Sequence, residues 1–193
     1  GFSIGANVLS NYLAKLGEKV PVKAAMCVGN PYDLIKVSEM VGGKLFGLYN
    51  KVFTRNLVKK YKQHLETLKP LEEKLDIKLE EALQDMKTVR QLDELITCKQ
   101  YGFDTVEEYY TNSSWAYQLK NIKIPTFFLN ALDDPIFDKI AIPFNEFHQN
   151  DNIMLGTTKG GGHIGFLKGV MNIEQWFTVP IFEYFNYFRL MKI

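Results

Sequence analysis

The chain has 193 residues, 46% of them hydrophobic and 23% charged, a globular balance that excludes disorder, collagen-like repeats and coiled coil. Lys and Arg number 23 against 22 Asp and Glu, a net charge of +1, so no global field favours nucleic acid or an acidic polymer as partner. Cys27 and Cys98 form neither a disulfide framework nor a metal-ligand spacing and read as reduced and buried, and no apolar stretch approaches the ~20 residues of a spanning helix, so the chain as given reads as soluble.

The chain opens on Gly1-Phe2-Ser3-Ile4-Gly5. Behind it Val8, Leu9, Tyr12, Leu13 and Leu16 recur at helical spacing and Gly17 supplies a stop, which predicts a helix over 5–16. Val22 to Val28, bounded by Pro21 and by Gly29-Asn30-Pro31, is an almost unbroken apolar run, the pattern of a parallel strand covered on both faces. From Asp33 to about Leu119 the texture is Lys/Glu-rich and helical. Leu45, Leu48, Val52, Leu57, Tyr61, Leu65 and Leu68 form one stripe that Pro70 is expected to close, and a second helix is expected through Leu79, Ala82, Leu83 and Met86. Tyr101-Gly102-Phe103 followed by Val106, Tyr109 and Tyr110 reads as a turn and a short helix.

Strand texture returns at Pro125 to Ala131 and at Asn152 to Thr157, with Asp133-Asp134-Pro135 after the first and Gly160-Gly161-Gly162-His163 after the second. The aromatic segment from Gln175 to Ile193, with Pro180 near its first turn, reads as a last core helix. Strands alternating with helices predict an α/β layered sheet. Core is expected over 1–32 and 120–193, with a helical insertion over 33–119. Lys51, Arg55, Lys59, Lys60 and Lys62 on the insertion read as a solvated face.

Gly-x-Ser-x-Gly at a strand-to-helix turn is a nucleophile elbow, in which small flanking residues let the chain bend sharply around Ser3. A serine hydroxyl needs a base to take its proton, and the base needs an acid to fix its tautomer. His163, in a glycine-flanked loop just after a strand, is the candidate base, while His64 in a Lys-rich helix and His148 in a polar turn read as surface residues. For the acid, Asp134 ranks first because it follows a buried-looking strand and would emerge at the carboxyl end of the sheet. Asp33 ranks second as a displaced acid and Asp133 third. The order Ser, Asp, His is that of α/β-hydrolases.

GFSIGANVL, NPYDL, YGFDTVEEYY, PTFFLNALDDPIF and GGHIGFL resemble the abhydrolase-domain group that includes bacterial YheT-type hydrolases and fungal medium-chain ester esterases and ethanol acyltransferases. The resemblance covers nearly the whole chain and implies an α/β-hydrolase sheet with a helical lid, a Ser3, Asp134, His163 triad, and an oxyanion hole half supplied by the backbone N–H of Ile4. It implies hydrolysis of medium-chain or other apolar acyl esters, with acyl transfer to an alcohol as the alternative and a non-catalytic binding protein as a third reading. A small-molecule ester or lipid is the expected partner, and the apolar faces of the lid are expected to line the acyl site. No P-loop, dinucleotide fingerprint, HxxxxD box or metal-ligand spacing occurs, and no cofactor or metal is implied.

Residue 1 is Gly and the motif begins with it, so the chain reads as the C-terminal part of a longer hydrolase, without the strand before the elbow or the second oxyanion donor. On that reading the strand at Val22 to Val28 loses a neighbour, and the 193 residues alone are expected to be inactive and unstable. Location stays open between a membrane, reached through a segment ahead of Gly1, and the cytoplasm.

Overall fold

Residues 1–43, 47–114, 116–136 and 138–191 are described by a computed structural model; Leu45 of the predicted stripe and the end of the predicted terminal helix, residues 192–193, lie outside them. Two compact units are formed, one from Gly1–Leu34 with Ser113–Ile193, the other from Ile35–Asn112. The chain starts with helix α1 (Ile4–Leu16) and strand β1 (Ala25–Val28). Helices α2 (Leu34–Gly43), α3 (Leu48–Gln63), α4 (Leu65–Leu75), α5 (Leu79–Gln84), α6 (Val89–Leu92), α7 (Cys98–Tyr101) and α8 (Val106–Ser113) follow, with a π-helical turn at Asp93–Thr97. Then come β2 (Thr126–Ala131), α9 (Phe144–Phe147), β3 (Ile153–Thr158), a hairpin of β4 (Leu167–Lys168) and β5 (Glu174–Gln175), and α10 (Thr178–Leu190).

In the first unit β1, β2 and β3 form a parallel sheet in that order, with Ala25 opposite Thr126 and Thr126 opposite Ile153. The apolar runs of β1 and β2 are explained by burial on both faces, because alternate residues enter different cores, whereas β3 buries only Ile153. Ala25, Cys27 and Phe128 pack with Ala6, Leu13, Phe147 and Ile153. Met26, Val28, Leu129 and Ala131 pack with Phe166 and Phe177. The first strand is shorter than expected, beginning at Ala25 rather than Val22, and Val22 is exposed. Its outer side is not bare, since Phe2 forms a parallel bridge to Val28.

The inward face of helix α1 is displaced from its apolar stripe: Leu13 is buried and Leu9 packs on the core, but the stripe's other members do not. Ala6, Asn7, Ser10, Leu13 and Ala14 are buried, whereas Val8, Tyr12 and Leu16 are exposed. The reason is close approach to β1. Ser10 Oγ donates to Ala6 O at 2.6 Å and lies 3.4 Å from Cys27 Sγ, a spacing that only small residues permit. The terminal helix also departs from expectation. It is shorter than the predicted segment, Glu174–Gln175 being strand, and none of its residues is buried. Ile181 and Tyr184 touch the sheet, but Phe182 and Leu190 face outward.

The second unit has its own core of Leu75, Leu79, Leu83, Leu92 and Ile96, against which Leu57, Tyr61, Leu65, Leu68, Leu71 and Met86 pack. Pro70 does not end a helix here; it lies inside α4. Proline deletes one backbone bond, and Leu68, Leu71 and Leu75 around it supply enough burial to keep the helix going. The break falls instead at His64, and the stop at Asp76, which is left-handed at φ 52°. The second predicted helix stops at Gln84, short of Met86. Lys51, Arg55, Lys59, Lys60 and Lys62 of α3 are exposed. No helix among the described residues is long and apolar enough to cross a membrane.

Candidate active site

Parallel strands deliver their loops to one end of a sheet, and the sequence candidates lie on those loops. Gly1 and Phe2 run beside β1 in its own direction: Val28 N–H donates to Gly1 O at 2.9 Å, and Ser3 N–H to Val28 O at 2.9 Å. The chain then bends at Ser3, which sits at φ 49°, ψ −127°, and enters α1 at Ile4. A non-glycine residue held there stores about 1–3 kcal/mol of strain. Gly1 makes the bend possible, because a Cβ on it would fall 2.7 Å from Gly5 O and 2.8 Å from Ala6 Cα. Gly5 is not needed for the same purpose, since a Cβ there meets nothing within 4 Å. The expectation of small residues on both sides therefore holds for one side only.

His163 hangs from the loop after β3. Its Nε2 lies 2.7 Å from Ser3 Oγ and its Nδ1 lies 2.8 Å from Asp134 Oδ2. A carboxylate only accepts, so Nδ1 carries the proton and Nε2 is left to accept from the serine O–H. Asp134 is 4% exposed, and its other oxygen accepts the Ile136 N–H at 2.8 Å, so its orientation is fixed from both ends. Such a chain can draw a proton from Ser3 and stabilise the imidazolium that results.

The rival candidates fall elsewhere. Asp133 is exposed and its Oδ1 accepts the Gly162 N–H at 2.8 Å. Asp33 is half-buried beyond β1, and the Nδ1 bond of His163 goes to Asp134. His148 is exposed at the end of α9, and His64 is exposed in the other unit. At the first position of α1, the N–H of Ile4 is engaged by no hydrogen bond among the described residues. A helix start leaves such donors free.

Beneath these loops lie polar groups that local sequence does not single out. Tyr32 OH donates to Asn130 Oδ1 at 2.6 Å and Asn130 Nδ2 donates to Asn30 O at 3.3 Å, all within a buried layer that ties the end of β1 to the end of β2. Burial pushes the Tyr32 phenol well above its ordinary value, so it acts as a neutral donor. The signal was a polar residue closing each apolar run, Asn30 after Val28 and Asn130 before Ala131. Burial also raises the Cys27 thiol to about 11, so it is an inert packing group. Among the described residues no group of three or more His, Cys, Asp or Glu is placed to hold a metal.

The chain is similar to known proteins over nearly its whole length. The chain is 32% identical over 193 residues to a monoacylglycerol lipase of Saccharomyces cerevisiae, covering 98% of this chain and 42% of that protein. It is 33% identical over 186 residues to the phospholipase ABHD3 of Mus musculus, covering 96% and 44%. Over 179 residues it is 32% identical to the esterase-like YheT of Escherichia coli, covering 91% and 51%. The chain thus spans about half the length of the curated relatives it matches. In fold it is similar to a solved structure of a proposed hydrolase from Legionella pneumophila, with a TM-score of 0.54 at 15% identity, covering 100% of this chain and 56% of that one. The family model of the alpha/beta hydrolase fold matches residues 1–170, and with the parallel sheet and the loops at its carboxyl end this establishes that the chain belongs to the alpha/beta hydrolase family.

Proposed function

We propose that the protein is a serine hydrolase that cleaves carboxylic esters of medium-chain or other apolar acyl groups. The observation that carries this reading is the unbroken run of contacts from Ser3 Oγ to His163 Nε2 at 2.7 Å and from His163 Nδ1 to Asp134 Oδ2 at 2.8 Å. His163 takes the proton of Ser3 as the hydroxyl oxygen attacks the ester carbonyl, and Asp134 holds the resulting imidazolium. The Ile4 N–H faces the developing oxyanion as one donor. His163 then returns the proton to the departing alcohol, leaving an acyl group on Ser3. Water, deprotonated by His163, attacks that acyl group and releases the acid. The lipase and phospholipase names of the relatives support an apolar acyl group in the substrate.

A fluorophosphonate probe tests the reading. In the full-length protein it should label Ser3, and Ser3→Ala should abolish both labelling and p-nitrophenyl ester hydrolysis. Labelling that survives in Ser3→Ala refutes the assignment. Adding ethanol to the assay and analysing products separates hydrolysis from acyl transfer, because an ethyl ester forms only if an alcohol competes for the acyl group.

A further inference from the structure

We propose that Asp133 is a positioning residue of this site: it holds the backbone of the loop that presents His163 to Ser3. The inference rests on the Ser3, His163, Asp134 reading above.

Asp133 and Asp134 are chain neighbours that grip the same loop at consecutive residues. Asp134 Oδ2 takes the His163 imidazole at 2.8 Å, and Asp133 Oδ1 takes the Gly162 N–H at 2.8 Å. The loop needs such a grip, because its backbone is held far from relaxed geometry. Gly162 lies at φ 59°, Ile164 at φ 55° and Phe166 at φ 45°, and the last two are residue types that rarely adopt positive φ. A strained segment stays in place only where its surroundings over-determine it.

Downstream of His163 the loop is anchored by Ile164 and Phe166. Ile164 lies over Gly29, where an added Cβ would fall 2.6 Å from Ile164 Cγ2. The fully buried Phe166 ring covers Gly161, and its N–H donates to Gly161 O at 2.8 Å. On the other side of the histidine, the bond from Gly162 to Asp133 fixes the residue directly before it. Asp133 is exposed, so its charge is solvated and what it gives the loop is an acceptor oxygen. The carbonyl of an asparagine gives the same.

Two substitutions separate this role from others. In the full-length protein Asp133→Ala should slow fluorophosphonate labelling of Ser3 on the order of 10- to 100-fold, the effect of about 1 Å of misplacement at the reacting atoms. Asp133→Asn should restore the rate to within about twofold of the unmutated protein, as expected when the acceptor is kept and only a solvated charge is lost. Amide hydrogen exchange at Gly162, read by NMR, should quicken in Asp133→Ala and stay slow in Asp133→Asn. Should the alanine variant fail to fold, Asp133→Leu, which also lacks an acceptor, takes its place. An alanine variant that labels at the normal rate overturns the proposal, and so does an asparagine variant as slow as alanine, which would make the charge the active feature. If the unmutated protein is not labelled at Ser3, the hydrolase reading falls, and the exchange measurement alone still decides whether Asp133 holds the loop.

Discussion

Ser3 Oγ and His163 Nε2 meet at 2.7 Å although 160 positions separate them in the chain. The contact exists because both residues leave the same end of one parallel sheet, Ser3 beside β1 and His163 after β3. Replacing Ser3 by Ala should lower ester turnover ~10⁶-fold, the loss typical of a nucleophile that works as a unit with its base. Asp134→Asn should cost ~10⁴-fold by presenting the wrong tautomer of His163. Asp33→Asn should change turnover little. Initial rates with a p-nitrophenyl ester check all three, and a crippled Asp33→Asn would move the acid to that residue.

The two glycines of the elbow should respond differently. Gly5→Ala places a methyl in open space in the first turn of α1 and should raise stability by about 0.5–1 kcal/mol while Ser3 stays reactive. Gly1→Ala drives a methyl into the Gly5 carbonyl and the Ala6 Cα, both backbone, so the bend must open and Ser3 labelling must fall. Thermal unfolding and probe labelling of the two variants check this.

Helix α1 offers a test of which face is core. Leu13 is fully buried, and Leu13→Ala should destabilise by about 2–5 kcal/mol. Val8 and Tyr12 are exposed, so Val8→Ser and Tyr12→Ser should change stability by no more than about 0.5 kcal/mol. Exposed apolar side chains on this helix, with Phe182 and Leu190 of α10, also make self-association the expected behaviour of residues 1–193 expressed alone. Light scattering of that chain should show oligomers that Val8→Ser and Tyr12→Ser reduce.

In the helical unit Asp93 sets a pH dependence. Burial holds its carboxyl above the usual range, against the lowering effect of hydrogen bonds from Thr97 Oγ1 and Tyr110 OH, both 2.8 Å long. A carboxyl with a raised folded-state value favours folding in its protonated form. That contribution is complete below the ordinary carboxylate value of about 3.9 and is lost as pH rises through the raised value. Asp93→Asn removes the titration, so its stability relative to the unmutated chain should rise with pH across that window and level off above it. Thermal unfolding of both proteins from pH 3 to 7 measures the difference.

Much of this was written in local sequence. Apolar runs marked the strands at 126–131 and 153–158: the first is buried along nearly its whole length, as suits a parallel strand covered on both faces, whereas the second buries only Ile153 and was marked by its apolar start, Ile153-Met154-Leu155. Glycines and prolines marked the turns, and the elbow, the Asp133-Asp134 pair and the Gly160-Gly161-Gly162-His163 loop stood out as residue types with chemistry at strand ends. What spacing could not decide was which of two faces turns inward. In α1 the inward face keeps Leu13 of the apolar stripe but is otherwise made of the small and polar Ala6, Asn7, Ser10 and Ala14, because close approach to β1 leaves room for small side chains rather than for Val8 or Tyr12. Nor could spacing say that Pro70 would be carried inside a helix by the leucines around it. The division of labour between Asp133 and Asp134 was equally hidden. Adjacent carboxylates on a turn point in different directions, and only the path of a loop some thirty residues on determines that one meets an imidazole and the other a backbone N–H.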